Sequence, residues 1–171
     1  MDILKRLDMS SQLDSESRIQ DDDHLALKLW LRLLTCTNMV EGVLRQRLRE
    51  SYASTLPRFD LLAQLDRHPE KLTMGELSSL MMVSGGNVTG LVKQLEKEGL
   101  VNRTPMKTDR RAYLVGLTAK GRRHFREMAD EHEGWIIELF ANMEYDQQEA
   151  LMDDMLALKK SVGQAARESD Y

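Results

Sequence analysis

Residues 72–118 read LTMGELSSLMMVSGGNVTGLVKQLEKEGLVNRTPMKTDRRAYLVGLT. Thr73 followed three residues later by Glu76 is a capping-box signature, so a short helix is predicted from Thr73 through Leu80. Val83-Ser84-Gly85-Gly86 reads as a turn, and a second helix follows to Glu98, stopped by Gly99. A short helix, a tight turn and a longer helix make a helix-turn-helix unit. In the second helix Val88, Leu91, Val92 and Leu95 fall at i, i+3, i+4 and i+7, the spacing of an inward stripe. The opposite face carries Ser84, Gly86, Asn87, Thr89, Gly90, Lys93 and Gln94, which are small or hydrogen-bonding groups with one cation and no acid. Such a face suits close approach to base edges and phosphates in a major groove. At a first helical turn, Gly85 and Gly86 let backbone N–H groups come near a phosphate.

Beyond Gly99, residues 101–104 and 111–117 are short extended runs around a polar loop, which predicts a hairpin. Arg103, Lys107, Arg110 and Arg111 cluster about its tip, with Asp109 as the single acid there, placed to orient a guanidinium. Arginines on a protruding ribbon suit the narrow, electronegative minor groove. Residues 72–123 hold nine Lys/Arg against four Asp/Glu, a net of +5, whereas the whole chain is at −4 and the remainder therefore at −9. An acidic protein with one basic lobe has the electrostatic footprint of a duplex binder.

Upstream, residues 1–22 are polar and aperiodic and read as a flexible tail. From Asp23 to about Glu50, Leu27, Trp30, Leu31, Leu34, Met39, Val43, Leu44 and Leu48 recur at three- and four-residue steps, predicting an amphipathic helix about 40 Å long. That is more apolar length than a domain of this size covers, so the helix calls for a partner. Thr55 is placed to cap the next helix, with Pro57 in its first turn and Phe59, Leu61, Leu62 and Leu65 on its buried side. Thr118 opens a second long helix to about Met143, and Asp146 with Glu149 is read as the cap of the last one. The fold class is mainly α, with one small β-hairpin.

In 171 residues, 42% hydrophobic and 30% charged, a core is feasible and disorder throughout is excluded. No apolar run reaches membrane-spanning length and no export signal opens the chain. With a single cysteine, these features predict a soluble, cytoplasmic, single-domain protein. Cys36 has no adjacent His or Lys and reads as a small buried hydrophobe, with an oxidation sensor as the alternative. No nucleophile–base pair, phosphate-binding glycine loop or cofactor fingerprint is present, so neither an enzyme nor a cofactor is expected. The histidines show no H-x-x-x-H spacing, and no metal site is read from His124, Glu127 and Glu131 on their shared helical face.

The stretch SGGNVTGLVKQLEKEGLVNRTPMKTDRRAYLVGLTAKGRRHF, residues 84–125, resembles the recognition helix, wing and following helix of the MarR family of winged-helix transcription factors. Asp109-Arg110-Arg111 matches the family's D-x-R wing signature and LTAKG at 117–121 its L-T-x-x-G, and the similarity extends over about residues 24–160. The resemblance implies a winged helix-turn-helix domain at 23–165, with 55–117 binding DNA and 23–54 and 118–165 forming a homodimer. It implies further that Ser84, Asn87, Thr89 and Lys93 face bases and phosphates, and that Arg111, with Arg110, reaches the minor groove while Asp109 holds it. The implied function is a repressor released from a palindromic double-stranded operator by a small effector. Trp30, Arg32, Asn38, Tyr52, Arg58, His124 and His132 are the candidate effector contacts, since cations and an aromatic wall suit an aromatic acid or its thioester. LRLLTCTNMVEG and TLPRFDLLAQLDR are similar to the branch that senses hydroxycinnamoyl-coenzyme A thioesters. An adaptor whose winged helix binds a protein rather than DNA is the alternative from another class.

Overall fold

A computed structural model describes residues 24–106 and 112–169. The chain divides into two compact units, Met1–His132 and Glu133–Tyr171.

The first unit opens with α1, Leu25–Tyr52, which runs two residues beyond the expected end. It stops without a glycine: Ala53 turns left-handed at φ 47°, and the N–H groups of Ala53 and Ser54 return to the carbonyls of Arg49 and Leu48. Helix α2, Leu56–Arg67, follows, with Phe59, Leu61, Leu62, Ala63 and Leu65 buried. Thr55 holds the N-cap position, but its side chain makes no capping bond, contrary to expectation. Pro57 in the first turn has already removed one N–H that a cap would serve.

Strand β1, Leu72–Thr73, leads directly into helix α3, Met74–Met81. The expected capping box is complete: Glu76 N–H donates to Thr73 Oγ1 at 3.2 Å, and Thr73 N–H to Glu76 Oε2 at 2.7 Å. Met82, left-handed at φ 53°, closes α3, and the Ser78 hydroxyl donates to the Val83 carbonyl across the turn. Helix α4, Gly85–Lys97, then begins one residue after Ser84. The turn is thus Met82–Ser84, and Gly85 and Gly86 are helical rather than part of it. Gly99 at φ 73° ends the segment, as its position predicted.

Strands β2, Val101–Pro105, and β3, Tyr113–Leu117, form the hairpin, shorter on its second arm than expected. A third strand was not anticipated. β1 pairs antiparallel with β3, Leu72 opposite Val115, giving the sheet order β1-β3-β2. Leu48, Leu61, Leu62, Leu65, Leu77, Val88, Val92, Leu95, Val101, Val115 and Met128 fill the core beneath these elements.

Helix α5, Ala119–Phe140, starts where the Thr118 hydroxyl accepts the Gly121 N–H and donates to the Gly99 carbonyl. It crosses into the second unit, which also holds α6, Tyr145–Ser169. The cap of α6 is not the expected Asp146–Glu149 pair. Gln147 Oε1 accepts the Glu144 N–H at 3.0 Å, and Gln148 donates to the Met143 carbonyl.

Helices α1 and α6 leave the most apolar side chains uncovered. Only Leu44 and Leu48 of α1 are buried, while Leu25, Leu27, Leu29, Trp30 and Leu34 are exposed. Helix α6 exposes Leu151, Met152, Met155, Leu156 and Val162. Cys36, expected to be buried, is exposed within the single chain, because it lies on the stretch of α1 that this chain leaves open. No described helix is long and apolar enough to cross a membrane.

Candidate nucleic-acid interface

Helix α4 is anchored by Val88, Val92 and Leu95, each fully buried. Leu91, expected in the same stripe, is only half-buried and helps wall a groove of about 350 Å³ with Pro57, Met81, Val83, Gly86, Asn87, Gly90 and Gln94. Anchoring one face of a helix determines what the other presents. Ser84, Gly86, Asn87, Gly90, Lys93 and Gln94 are all exposed along α4 or at its N-cap. The Ser84 side chain makes no capping bond, whereas Thr89 donates its hydroxyl to the Gly85 carbonyl at 2.8 Å. Thr89 therefore offers oxygen lone pairs rather than a donor to anything it meets.

The hairpin follows α4 and is tied to its last turn by Arg103 and Glu96. Met106 N–H donates to the Ala112 carbonyl at 2.9 Å, closing its last described rung. Lys107, Asp109, Arg110 and Arg111 lie outside the described residues. Arg103, read from sequence as a tip cation, is held on the protein: Nε donates to Glu96 Oε1 at 3.0 Å, and the guanidinium lies 5.6 Å from the Tyr113 ring centroid. The Glu96 hydrogen bond raises its already high pKa, so it is a permanent cation.

A second concavity of about 470 Å³ is lined by Tyr52, Ala53, Arg58, Glu98, Leu100, Lys120 and His124. It unites three of the seven candidate effector residues, Tyr52, Arg58 and His124. Trp30, Arg32 and Asn38 do not line it: they precede Tyr52 on the same helix by fourteen residues or more, about 20 Å of rise. His132 is also apart, stacked on Phe59 with centroids 4.5 Å apart. Arg58 pairs with Glu98 through two contacts, one of 2.7 Å, and its Nε is buried without a hydrogen-bond partner. Arg58 in turn holds the Glu98 carboxyl below the usual carboxylate range. The Tyr52 phenol is pushed up to about 12, first by desolvation and then by Glu131, and donates to the Glu127 carbonyl at 3.0 Å. His124 meets the Tyr52 ring edge-on. Glu98 and Lys120 escaped the sequence reading; an acid beside the helix-ending Gly99 was the available signal. Among the described residues no His/Cys/Asp/Glu group is arranged to hold a metal ion.

A helix-turn-helix whose second helix runs into a β-hairpin, with a short strand before it completing the sheet, is a winged helix. The MarR family profile matches residues 54–113, from just before α2 to the first residue of β3. The chain thus carries a MarR family domain over these residues. It is 34% identical over 107 residues to the transcriptional activatory protein BadR of Rhodopseudomonas palustris, a match covering 61% of each chain. It thus spans about three fifths of that relative's length. A MarR family regulator from Silicibacter pomeroyi superposes with TM-score 0.71 at 29% identity, covering 84% of this chain and 99% of that one. Sco3205 of Streptomyces coelicolor, solved in complex with DNA, shares the fold at TM-score 0.72 and 23% identity over 84% of this chain and 90% of its own. These relatives are transcriptional regulators, not enzymes.

Proposed function

We propose that the protein is a transcriptional regulator that binds duplex DNA as a homodimer, laying α4 of each subunit in a major groove. The observation that carries this reading is the exposed face of Ser84, Gly86, Asn87, Gly90, Lys93 and Gln94, free of acids, on a helix anchored from its other side by the buried Val88, Val92 and Leu95. Ser84, Asn87, Thr89 and Lys93 are assigned to bases and phosphates, with Gly86 allowing close backbone approach. Lys107, Arg110 and Arg111 are assigned to the minor groove, with Asp109 orienting Arg111. Two copies on one duplex place their helices about one turn apart, 34–36 Å, and so call for a palindromic site. Support comes from the +5 lobe of an otherwise acidic chain and from the DNA complex of Sco3205.

Filter binding across a salt series tests the reading. A DNA binder loses affinity steeply as salt rises, whereas a protein-binding adaptor shows no such dependence on bulk duplex. Arg111→Ala is expected to weaken binding by about 1–3 kcal/mol and to flatten the salt slope by about one unit. Wild-type affinity in that variant would remove the wing assignment.

The effector reading draws support from the cavity of about 470 Å³, where Arg58, Lys120 and His124 stand around one acid, Glu98, with Tyr52 as aromatic wall. That lining suits a small aromatic acid. A coenzyme A thioester would leave its nucleotide portion outside. An effector releases DNA only by binding the DNA-incompetent state more tightly, and 1–3 kcal/mol of coupling gives about a 5–150-fold loss of affinity. Titrating the DNA complex with a hydroxycinnamate and with its coenzyme A thioester separates the two, and no release by either defeats the effector assignment. Whether release silences or activates a gene depends on promoter position, and BadR bears an activator's name.

A further inference from the structure

Helix α4 ends on two carboxylates, Glu96 and Glu98, flanking Lys97. Both are costly there. The C-terminal end of a helix carries partial negative charge that repels acids. They also place negative charge in the one lobe of the chain whose net charge suits phosphates.

Each carboxylate is held by an arginine from a different element. Glu98 takes Arg58 of α2 fork to fork, Nη1 to Oε1 at 2.7 Å with a second contact from Nη2 to Oε2. Glu96 takes Arg103 of β2 the same way, Nε to Oε1 at 3.0 Å and Nη2 to Oε2 at 2.6 Å. Lys120 Nζ adds a hydrogen bond to the Glu98 backbone carbonyl at 2.9 Å. Two parallel bonds to a planar guanidinium fix direction as well as distance, whereas the apolar contacts of Val88, Val92 and Leu95 are non-directional. The thirteen residues of α4 span about 20 Å, so a tilt of about 5° about its last turn moves its first turn by nearly 2 Å. That exceeds the tolerance of a hydrogen bond to a base edge.

We propose that the Arg58–Glu98 and Arg103–Glu96 pairs form a two-sided clamp that sets the tilt of the recognition helix, and that these four are positioning residues for DNA recognition rather than DNA contacts. The consequence for affinity rests on the DNA-binding reading above; the clamp itself rests on the geometry alone. The pKa directions agree, Glu98 being lowered and Arg103 raised by their partners.

The sign of one effect separates the clamp from plain electrostatics. Replacing a carboxylate by a neutral amide removes repulsion from phosphates, so Glu96→Gln and Glu98→Gln should tighten binding if charge alone matters. A clamp demands the reverse. Wild type and the variants Glu96→Gln, Glu98→Gln, Arg58→Gln and Arg103→Gln are measured by fluorescence anisotropy over a salt series, on a duplex that the wild type selects from a random pool. Each single variant is expected to lose affinity about 3- to 30-fold with an unchanged salt slope, since no phosphate contact goes. Each double variant within a pair should be no weaker than its singles. Amide exchange at residues 95–99 should quicken in all four, while the thermal midpoint moves little. Glutamine variants that bind as well as or better than wild type overturn the clamp, as does a slope reduced by about one unit in Arg103→Gln or Arg58→Gln. If the wild type selects no duplex, the DNA-binding reading fails instead. The clamp is then judged on amide exchange, and unchanged rates at 95–99 in every variant overturn it.

Discussion

A methyl group on Gly121 would lie 1.9 Å from the Leu100 carbonyl oxygen, because the first turn of α5 presses against the backbone that leads from α4 into the wing. Backbone on one side and helix on the other leave no flexible atom to give way. Gly121→Ala is therefore expected to lower stability by about 1–3 kcal/mol, read as a lower midpoint in urea; an unchanged midpoint would mean that the contact relaxes. His132 makes a different prediction. Burial holds its imidazole below the ordinary 6.5, so the folded state favours the neutral ring. Its contribution is complete above pH 6.5 and is lost as pH falls through and below that value, where the unfolded chain takes the proton first. His132→Gln should flatten the acid-side decline in unfolding free energy. Parallel wild-type and variant curves below pH 6.5 would count against this. Neighbouring residues of α5 make ring contacts of 5–6 Å as well, Phe125 with Phe59 and His124 with Tyr52.

Helix ends differ in how they are secured, and the differences follow local chemistry. Thr73 and Glu76 hold the start of α3 reciprocally, so Thr73→Ala should cost about 1 kcal/mol and speed amide exchange in the first turn of α3. Exchange unchanged at Gly75 and Glu76 would show the cap to be redundant with the pairing of β1 to β3. That box was readable because both its members lie within four residues. The ends at Ala53 and Met82 were not, since neither is the glycine that usually takes a left-handed φ. Strand β1 was unreadable for another reason: two residues carry no period, and their pairing with β3 joins positions more than forty residues apart. Glu98 escaped notice similarly, because its partner Arg58 lies forty residues upstream.

For the molecule as a whole, the uncovered apolar residues of α1 and of α6 are the largest unsettled expense of the single chain. A homodimer covering them is expected to sediment at about twice the 19.7 kDa of one chain. Leu156→Glu, which puts a charge amid the exposed face of α6, should shift the equilibrium toward monomer. A stable monomer of the wild type at micromolar concentration would remove the basis for two helices on adjacent grooves. Cys36 stands on the same open side of α1, so its exposure in one chain does not carry over to a dimer.

Periodicity, caps and glycines in residues 72–118 were sufficient for the helix-turn-helix, the hairpin and the polar face of α4, because each depends on residues within a turn or two of one another. The wing tip's cations were legible as charge, although Lys107, Asp109, Arg110 and Arg111 fall outside the described residues. What local pattern could not supply is which distant side chains meet. Only folding brings Arg58 to Glu98 and Arg103 to Glu96, gathers Tyr52, Arg58 and His124 around one cavity, and leaves Trp30, Arg32 and Asn38 elsewhere along α1. The reason is physical: helix and turn signals come from interactions between near neighbours along the chain, while a site is made by the packing that sets one element against another.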